Sequence, residues 1–182
     1  YIATSPGMYA AFTGYLSHIT GCRLFVADYR LAPEFPFPAG LDDAIAVYEA
    51  VLDTGVPPER VLFAGDSGGG GLVDSLLLTD KAKHLPRPGG VLLFSPEVEL
   101  VLDEPSVTEN ADKDILPAQI PTEPYLHGLD AHNPFISPVA RDLAGYPPTL
   151  VAFGDEEMFR DAIRRFCADL RRDGVDVVEL EE

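Results

Sequence analysis

The sequence contains no tryptophan, only two cysteines, and 13 lysines and arginines against 30 aspartates and glutamates. The formal net charge of −17 disfavours nucleic acids and anionic membrane surfaces as partners, because both attract positive charge. No apolar run reaches the roughly 18 residues that a membrane-spanning helix needs. No basic segment followed by an apolar stretch opens the chain, so we expect no signal peptide.

Neither cysteine has the neighbours of a metal or redox site. Cys22 and Cys167 match no zinc-binding spacing and no C-x-x-C motif, so we expect both to be core thiols. Unpaired thiols are typical of a reducing compartment, and we expect a cytoplasmic protein. The histidines and acids form no metal-ligand pattern in the sequence, and we expect neither a metal nor an organic cofactor.

Apolar strand-like runs alternate with helical patterns along the 182 residues. The runs read as strands buried on both faces, which predicts a parallel sheet with helices on both sides. The predicted strands are 23–29, 61–65, 91–95, 149–154 and 175–180. The sequence therefore predicts one α/β domain over 1–182. The proline-rich region 103–148 is too long for an ordinary connection, and we expect it to cover part of the domain.

One strand leads directly into the sequence Gly65-Asp66-Ser67-Gly68-Gly69 and then into a helix. G-x-S-x-G in a strand–turn–helix setting predicts a nucleophile elbow, in which the serine stands on a sharp turn above the sheet. Gly65 and Gly69 meet the need for small residues there, and the Gly68 amide can donate to an oxyanion. A phosphate-binding loop is the alternative, but neither GxxxxGK[ST] nor GxGxxG is present.

Four segments together resemble the hormone-sensitive lipase-like α/β-hydrolases, whose bacterial members are the family IV esterases. The segments are DYRLAPEFPFPAGLDDA (28–44), GDSGGG (65–70), LLFSPEVEL (92–100) and the stretch 133–162. The resemblance implies an α/β-hydrolase fold with Ser67 as nucleophile and Glu157 as catalytic acid, with Asp155 as the alternative acid. It also implies that Gly68 serves the oxyanion, that Asp66 braces the elbow and that Asp161 braces the acid.

The resemblance also implies a cap insertion over 103–135, where Leu116, Ile120 and Tyr125 are candidates to line an acyl or alcohol pocket. Two family features are expected outside the 182 residues. An HGGG oxyanion loop is expected directly before Tyr1, and the catalytic histidine about 30 residues after the acid, near position 187. The histidines of the chain all precede the acid, against the order Ser–acid–His; they are His18, His84, His127 and His132.

The function that the resemblance implies is hydrolysis of small-molecule carboxylic esters with short to medium acyl chains. A homodimer is compatible with the family. Two alternatives stay open on the sequence. One is a non-catalytic receptor on the same scaffold, like the plant gibberellin receptors, and the other is a related hydrolase of amides or carbamates. The residue near position 187 separates enzyme from receptor, since only the enzyme needs a histidine there.

Overall fold

Eleven short elements make up the part of the chain that the computed structural model describes, which is residues 1–117, 119–137 and 142–182, with only the backbone of 80–83. The helices are α1 (Ala10–Thr20), α2 (Ala39–Asp53), α3 (Gly68–Lys83), α4 (Pro105–Glu109), α5 (Glu123–Leu126) and α6 (Arg160–Arg172), with a 3-10 turn at Pro58–Arg60. The strands are β1 (Leu62–Asp66), β2 (Gly90–Phe94), β3 (Thr149–Phe153) and β4 (Val177–Glu181).

The four strands form one parallel sheet in the order β1-β2-β3-β4. Parallel neighbours need long crossover connections, and α3 and α6 supply the first and the last of them. The second connection, between β2 and β3, contains the long region that the sequence predicted to be irregular. Because all strands run the same way, their carboxyl ends meet at one edge of the sheet, where ligands bind in open α/β folds.

Helices lie on both faces of the sheet, as the sequence predicted. On one face, Val91, Leu93 and Val151 are fully buried and share a core with side chains of α2, α3 and α6. Side chains alternate along a strand, so Phe94 points to the other face. There the Phe12 ring of α1 meets the Phe94 ring edge-on, 5.8 Å between ring centres. The position of α1 therefore places a helix at the carboxyl end of the second face.

The prediction of a strand at 23–29 is wrong for this structure. The segment has no regular secondary structure and pairs with no strand among the described residues, and Phe25 and Val26 are 57% and 45% exposed. A strand needs a neighbour for its backbone hydrogen bonds, and residue composition does not report whether one is present. The core position predicted for Cys22 is wrong for the same segment, since this thiol is exposed. Cys167 is buried in the core, as predicted.

Two helix boundaries test local sequence signals. Ser5 and Pro6 together predict a helix that is capped by the serine and begins at the proline. That start is wrong, because residues 6–9 form turns and α1 begins at Ala10. After the last helical pattern, Gly174 predicts a helix stop. This stop is confirmed, since α6 ends at Arg172 and Gly174 has φ 81°, a conformation that glycine adopts readily. In the described part of the chain, none of these helices combines the length and apolar character of a membrane span.

Candidate active site

Three polar side chains lie at the carboxyl edge of the sheet, each in the segment that follows one of three adjacent strands. Ser67 follows β1 and Ser95 follows β2. Residues 154–161, called the acid turn below, follow β3 and include the first two residues of α6. The ladder continues past the strands, since the Ser67 amide donates to the Phe94 carbonyl (2.9 Å) and the Ser95 amide to the Ala152 carbonyl (2.8 Å). At the usual strand spacing, the ends of β1 and β3 lie about 10 Å apart.

Ser67 stands in a strained turn between β1 and α3. Its φ is 53°, in the left-handed region that a non-glycine residue enters at a cost. The turn is held by the Ser67 carbonyl, which accepts hydrogen bonds from the amides of Gly70 (2.9 Å) and Glu97 (3.0 Å). The next residue, Gly68, opens α3, where the first amides have no carbonyl partner within the helix. The observed turn has the strand–turn–helix form that the sequence predicted.

The glycines around Ser67 are not equivalent. A Cβ on Gly65 would lie 2.4 Å from the Gly69 carbonyl oxygen, and one on Gly70 would lie 2.6 Å from the Pro96 Cβ. A Cβ on Gly69, by contrast, would meet only the Tyr29 hydroxyl at 3.9 Å. The prediction that both Gly65 and Gly69 must be small is therefore correct for Gly65 and wrong for Gly69. The turn brings the backbone of residue 69 against Cα of residue 65, so a side chain at 69 can point elsewhere.

A matched pair of alanine variants tests this difference. Gly65→Ala forces a methyl group into rigid backbone, and we expect it to lower the free energy of unfolding by about 3 kcal/mol or more. Gly69→Ala adds a methyl group in open space on a helix, where alanine is favoured over glycine by up to about 1 kcal/mol. Urea unfolding of both variants measures the two effects. Equal destabilisation by the two substitutions would contradict the packing described for this turn.

The acid turn directs the Glu157 side chain toward Ser95. Glu157 Oε1 accepts hydrogen bonds from Ser95 Oγ (2.7 Å) and from the Gly154 amide (2.7 Å). The second carboxylate oxygen, Oε2, is buried without a hydrogen-bond partner among the described residues. A buried acceptor without a donor is costly, so this oxygen is suited to receive an N–H group. Asp155, the alternative acid, is exposed.

Sequence reasoning gave no role to Ser95, although Ser95 itself lies in the segment 92–100 that contributes to the family resemblance. Ser95 follows β2 with φ 43°, so two successive strands end in a serine with left-handed backbone. This conformation turns the Ser95 hydroxyl toward Glu157 rather than along the strand. A serine followed by proline directly after an apolar strand was the available signal. Its partner was not visible, because Glu157 lies 62 residues further along the chain.

The backbone of Tyr1 runs directly beside the start of α3. A Cβ on Gly68 would lie 2.9 Å from the Tyr1 nitrogen, and the Tyr1 carbonyl accepts from the Ala32 amide (3.0 Å). The Tyr1 ring stacks on Tyr125, with 4.0 Å between ring centres. The Tyr1 hydroxyl reaches the Glu97 carbonyl at 3.5 Å. Residue 1 is thereby fixed against the turn that carries Ser67.

Glu97 is a buried acid behind this turn. Burial raises the pKa of its carboxyl to about 7. The folded state therefore favours the neutral acid, and the stabilisation is complete below the ordinary pKa of 4.5 and lost as the pH rises through about 7. Asp74, also fully buried, has a pKa raised by burial in the same direction.

Replacement of Glu97 by glutamine should flatten the pH dependence of stability. We expect Glu97→Gln to be more stable than the wild type at pH 8, by on the order of 2–3 kcal/mol, and to lose this advantage near pH 5. Urea unfolding at several pH values measures it. Glu49→Gln, on the exposed side of α2, is the matched control. Parallel pH profiles for the wild type and Glu97→Gln would contradict the burial of an ionisable group.

The two predicted bracing residues lie on either side of the site. Asp66 accepts a hydrogen bond of 2.5 Å from the Tyr9 hydroxyl, which raises the pKa of Tyr9 to about 12, and so links the elbow to the segment before α1. Asp161 accepts from the Ser106 amide (3.0 Å) and from Arg160 Nε (2.9 Å). The Arg160 guanidinium holds the pKa of Asp161 below its usual value.

The three predicted pocket residues lie in two different places. Leu116 and Ile120 are half-buried against the main core, whereas Tyr125 is 4% exposed in a second, smaller cluster. Burial also raises the pKa of Tyr125. The four histidines are all exposed, and His132 pairs through Nδ1 with Asp130 at 2.9 Å. None of these four imidazoles has a recorded hydrogen bond to Ser67 or Glu157 in the described ranges.

Comparisons with known proteins agree with this geometry. A family model described as "alpha/beta hydrolase fold" matches residues 1–182. An acetyl-hydrolase of Streptomyces hygroscopicus is 35% identical over 168 residues, which are 90% of this chain and 56% of that protein. A hormone-sensitive lipase from a metagenome library superposes with a TM-score of 0.94 at 39% identity, over 100% of this chain and 64% of that one.

The esterase EstE5, in a crystal soaked with p-nitrophenyl butyrate, superposes with a TM-score of 0.94 at 33% identity, over 99% of this chain and 63% of that one. The chain thus spans a little over half the length of the curated relative named above. The family match covers the whole chain, and the two solved structures superpose on 99% and 100% of it. The chain belongs to the α/β-hydrolase fold family, in the hormone-sensitive lipase-like branch that its motifs indicated.

Proposed function

We propose that the protein is a serine hydrolase of carboxylic esters with short to medium acyl chains. The observation that carries the proposal is the arrangement at the carboxyl edge. A strained serine stands at the end of β1, and two strands away lies a buried carboxylate oxygen to which no group in the described part of the chain donates. The gap of about 10 Å between the two strand ends suits one imidazole ring hydrogen-bonded at both nitrogens. A Ser–His–acid triad places its imidazole between two such groups.

Ser67 is the proposed nucleophile. Its Oγ attacks the ester carbonyl carbon while the histidine base takes the hydroxyl proton, and the alcohol leaves with that proton as the acyl-enzyme forms. Water then attacks the acyl group, the base takes its proton, and the free acid and Ser67 are regenerated. Glu157 Oε2 accepts the N–H of the base, which fixes the ring and stabilises its charged form. The resemblance predicts that this histidine lies near position 187.

The oxyanion is held by backbone amides in this proposal. Gly68, at the first position of α3, supplies one donor, and each such donor lowers the barrier by about 3–4 kcal/mol. The family's HGGG loop is predicted directly before Tyr1. The close approach of the Tyr1 nitrogen to Gly68 supports that prediction, because residues preceding Tyr1 would then lie next to the serine.

The substrate class rests on the relatives. One relative is named an acetyl-hydrolase, and EstE5 was soaked with a butyrate ester, so acyl groups of two to four carbons are the first substrates to test. We further propose that 103–135 forms a cap over the serine and that Leu116 and Ile120 face the substrate. Tyr125, being stacked on Tyr1, supports the wall of the site from behind. Homodimer formation and a cytoplasmic location remain predictions.

Hydrolysis by the full-length protein tests this proposal. We expect p-nitrophenyl acetate and butyrate to be cleaved, longer esters such as the palmitate to be cleaved poorly, and the matching p-nitroanilides to be cleaved much more slowly. Faster cleavage of the anilides would favour the amidase alternative. Binding of esters without any turnover would favour the receptor alternative.

A further inference from the structure

Three polar side chains from one stretch of the cap region bind the backbone of the acid turn. Ser106 lies in α4, Asn110 follows it directly, and Asp114 lies in the turns after that; we call these three residues the clasp. Each clasp side chain bonds to main-chain atoms within 155–161 rather than to a side chain of the site. The clasp thus surrounds Glu157 without touching its carboxylate.

Asn110 makes the contacts closest to Glu157. Its side chain is 1% exposed, and Nδ2 donates to the Glu157 carbonyl (2.9 Å) and to the Asp155 carbonyl (3.4 Å). The backbone of Asn110 is also held, because its main-chain N–H donates to the Ser106 carbonyl (3.0 Å). A side-chain amide that binds the carbonyls of residues 155 and 157 holds the backbone that leads into and through Glu157.

The other two clasp residues hold the position that follows Glu157. Asp114 Oδ2 accepts from the Met158 amide (2.6 Å), and Ser106 Oγ donates to the Met158 carbonyl (2.8 Å). Both main-chain polar groups of Met158, the N–H and the carbonyl, are therefore hydrogen-bonded by residues of the cap region. The remaining Asp114 oxygen, Oδ1, accepts from the Leu116 amide (2.9 Å). Asp114 consequently links the acid turn to a residue proposed to face substrate.

We infer that Asn110 is a positioning residue for the catalytic acid, with Asp114 and Ser106 completing the clasp; this inference rests on the proposed function. The clasp fixes the backbone from which the Glu157 side chain reaches Ser95, so it sets where Oε2 meets the base. Asn110 does not touch the substrate or the reacting atoms. Its effect is transmitted by the position of Glu157 alone.

Asn110 is the informative residue to change because it is uncharged. The acid turn is packed among charged side chains, of which Asp114, Arg160 and Asp161 are partly buried, so removing one of these three would alter the field at the base directly. Glu109, Lys113 and Glu156 also lie beside this turn, but they are exposed and their charges are screened by water. Loss of the Asn110 amide changes geometry while every charge stays in place. A weaker contact between Glu157 and the base lowers the pKa of the base, which moves the acidic limb of the rate profile to lower pH.

The test measures Asn110→Ala in the full-length protein with p-nitrophenyl butyrate as substrate. Rates are normalised to active sites titrated with a phosphonate, so that unfolded molecules do not count. We expect kcat per titrated site to fall about 10- to 100-fold, since small misplacements of catalytic groups cost this much. We expect KM to change less than threefold and the acidic limb of kcat/KM to shift to lower pH. Asp114→Asn, which is isosteric, should lower kcat and also raise KM.

Thr54→Ala is the control. Thr54 Oγ1 donates to the Val51 carbonyl (2.6 Å) at the exposed end of α2, outside the cap and the acid turn, and we expect wild-type kcat, KM and pH profile. A wild-type kcat per site in Asn110→Ala would overturn the inference, and so would a lower kcat with an unmoved acidic limb. If the wild type neither hydrolyses the ester nor reacts with the phosphonate, the proposed function fails and this inference with it.

Discussion

Replacing Ser67 by alanine should abolish ester hydrolysis. The variant keeps the fold, because Ser67 holds its turn through backbone groups rather than its hydroxyl. Alanine also removes the only atom that can form the acyl-enzyme in the proposed mechanism, and we expect kcat to fall by about 10⁴-fold or more. Residual activity would reflect substrate binding and the oxyanion donors alone. Initial rates with p-nitrophenyl butyrate, together with the melting temperature of the variant, measure the effect.

Ser17→Ala is the control for this substitution. Ser17 lies near the end of α1, where its hydroxyl makes an exposed hydrogen bond to the Cys22 carbonyl, so its loss should leave the rate within about twofold of the wild type. A Ser67→Ala variant with the rate of Ser17→Ala would show that another residue performs the attack.

Replacing Glu157 by glutamine should reduce kcat by about 10⁴-fold with little change in KM. Glutamine keeps the shape of the side chain, but only one of its two ends can accept a hydrogen bond. If the amide oxygen keeps its contacts with Ser95 and Gly154, the NH2 group faces the base and holds it in the wrong tautomer. Steady-state kinetics across pH 5–9 measure the loss.

Two neighbouring acids provide the comparison for Glu157. Glu156 is exposed and pairs with Lys113 at 3.4 Å, and we expect Glu156→Gln to retain wild-type kinetics. Asp155→Asn tests the alternative acid, whose side chain is also exposed. A large loss in Asp155→Asn, with a small one in Glu157→Gln, would reverse the assignment of the acid.

The features that the sequence predicted well are those set by local chemistry. The sharp turn at Ser67 was predictable because an apolar strand, a G-x-S-x-G turn and a helix follow one another within about twenty residues, and each element has its own local signal. The end of α6 was predictable because the chain needs a positive φ after the helix, and Gly174 adopts it without strain. The parallel sheet followed from strands without polar alternation, a pattern typical of strands covered on both faces.

The features that the sequence did not reveal depend on contacts between distant residues. Glycine is required at Gly65 but not at Gly69, because the backbone of residue 69 lies against Cα of residue 65. The G-x-S-x-G pattern in the sequence does not distinguish these two positions. The run 23–29 has the composition of a strand, yet pairing decides whether a strand forms. Asn110 sits in a proline-rich stretch with no periodic signal, and its partners lie 45 and 47 residues away. Side-chain hydrogen bonds of this kind leave no local pattern.

Covalent labelling is the most direct test of Ser67 as the nucleophile. The full-length protein is treated with a fluorophosphonate, digested and analysed by mass spectrometry. We expect one phosphonyl adduct per chain, located on the peptide that contains Ser67, with ester hydrolysis lost in proportion to labelling and no adduct in Ser67→Ala. An adduct on a different residue that accounts for the loss of activity, or continued hydrolysis by a protein fully labelled at Ser67, would contradict the assignment.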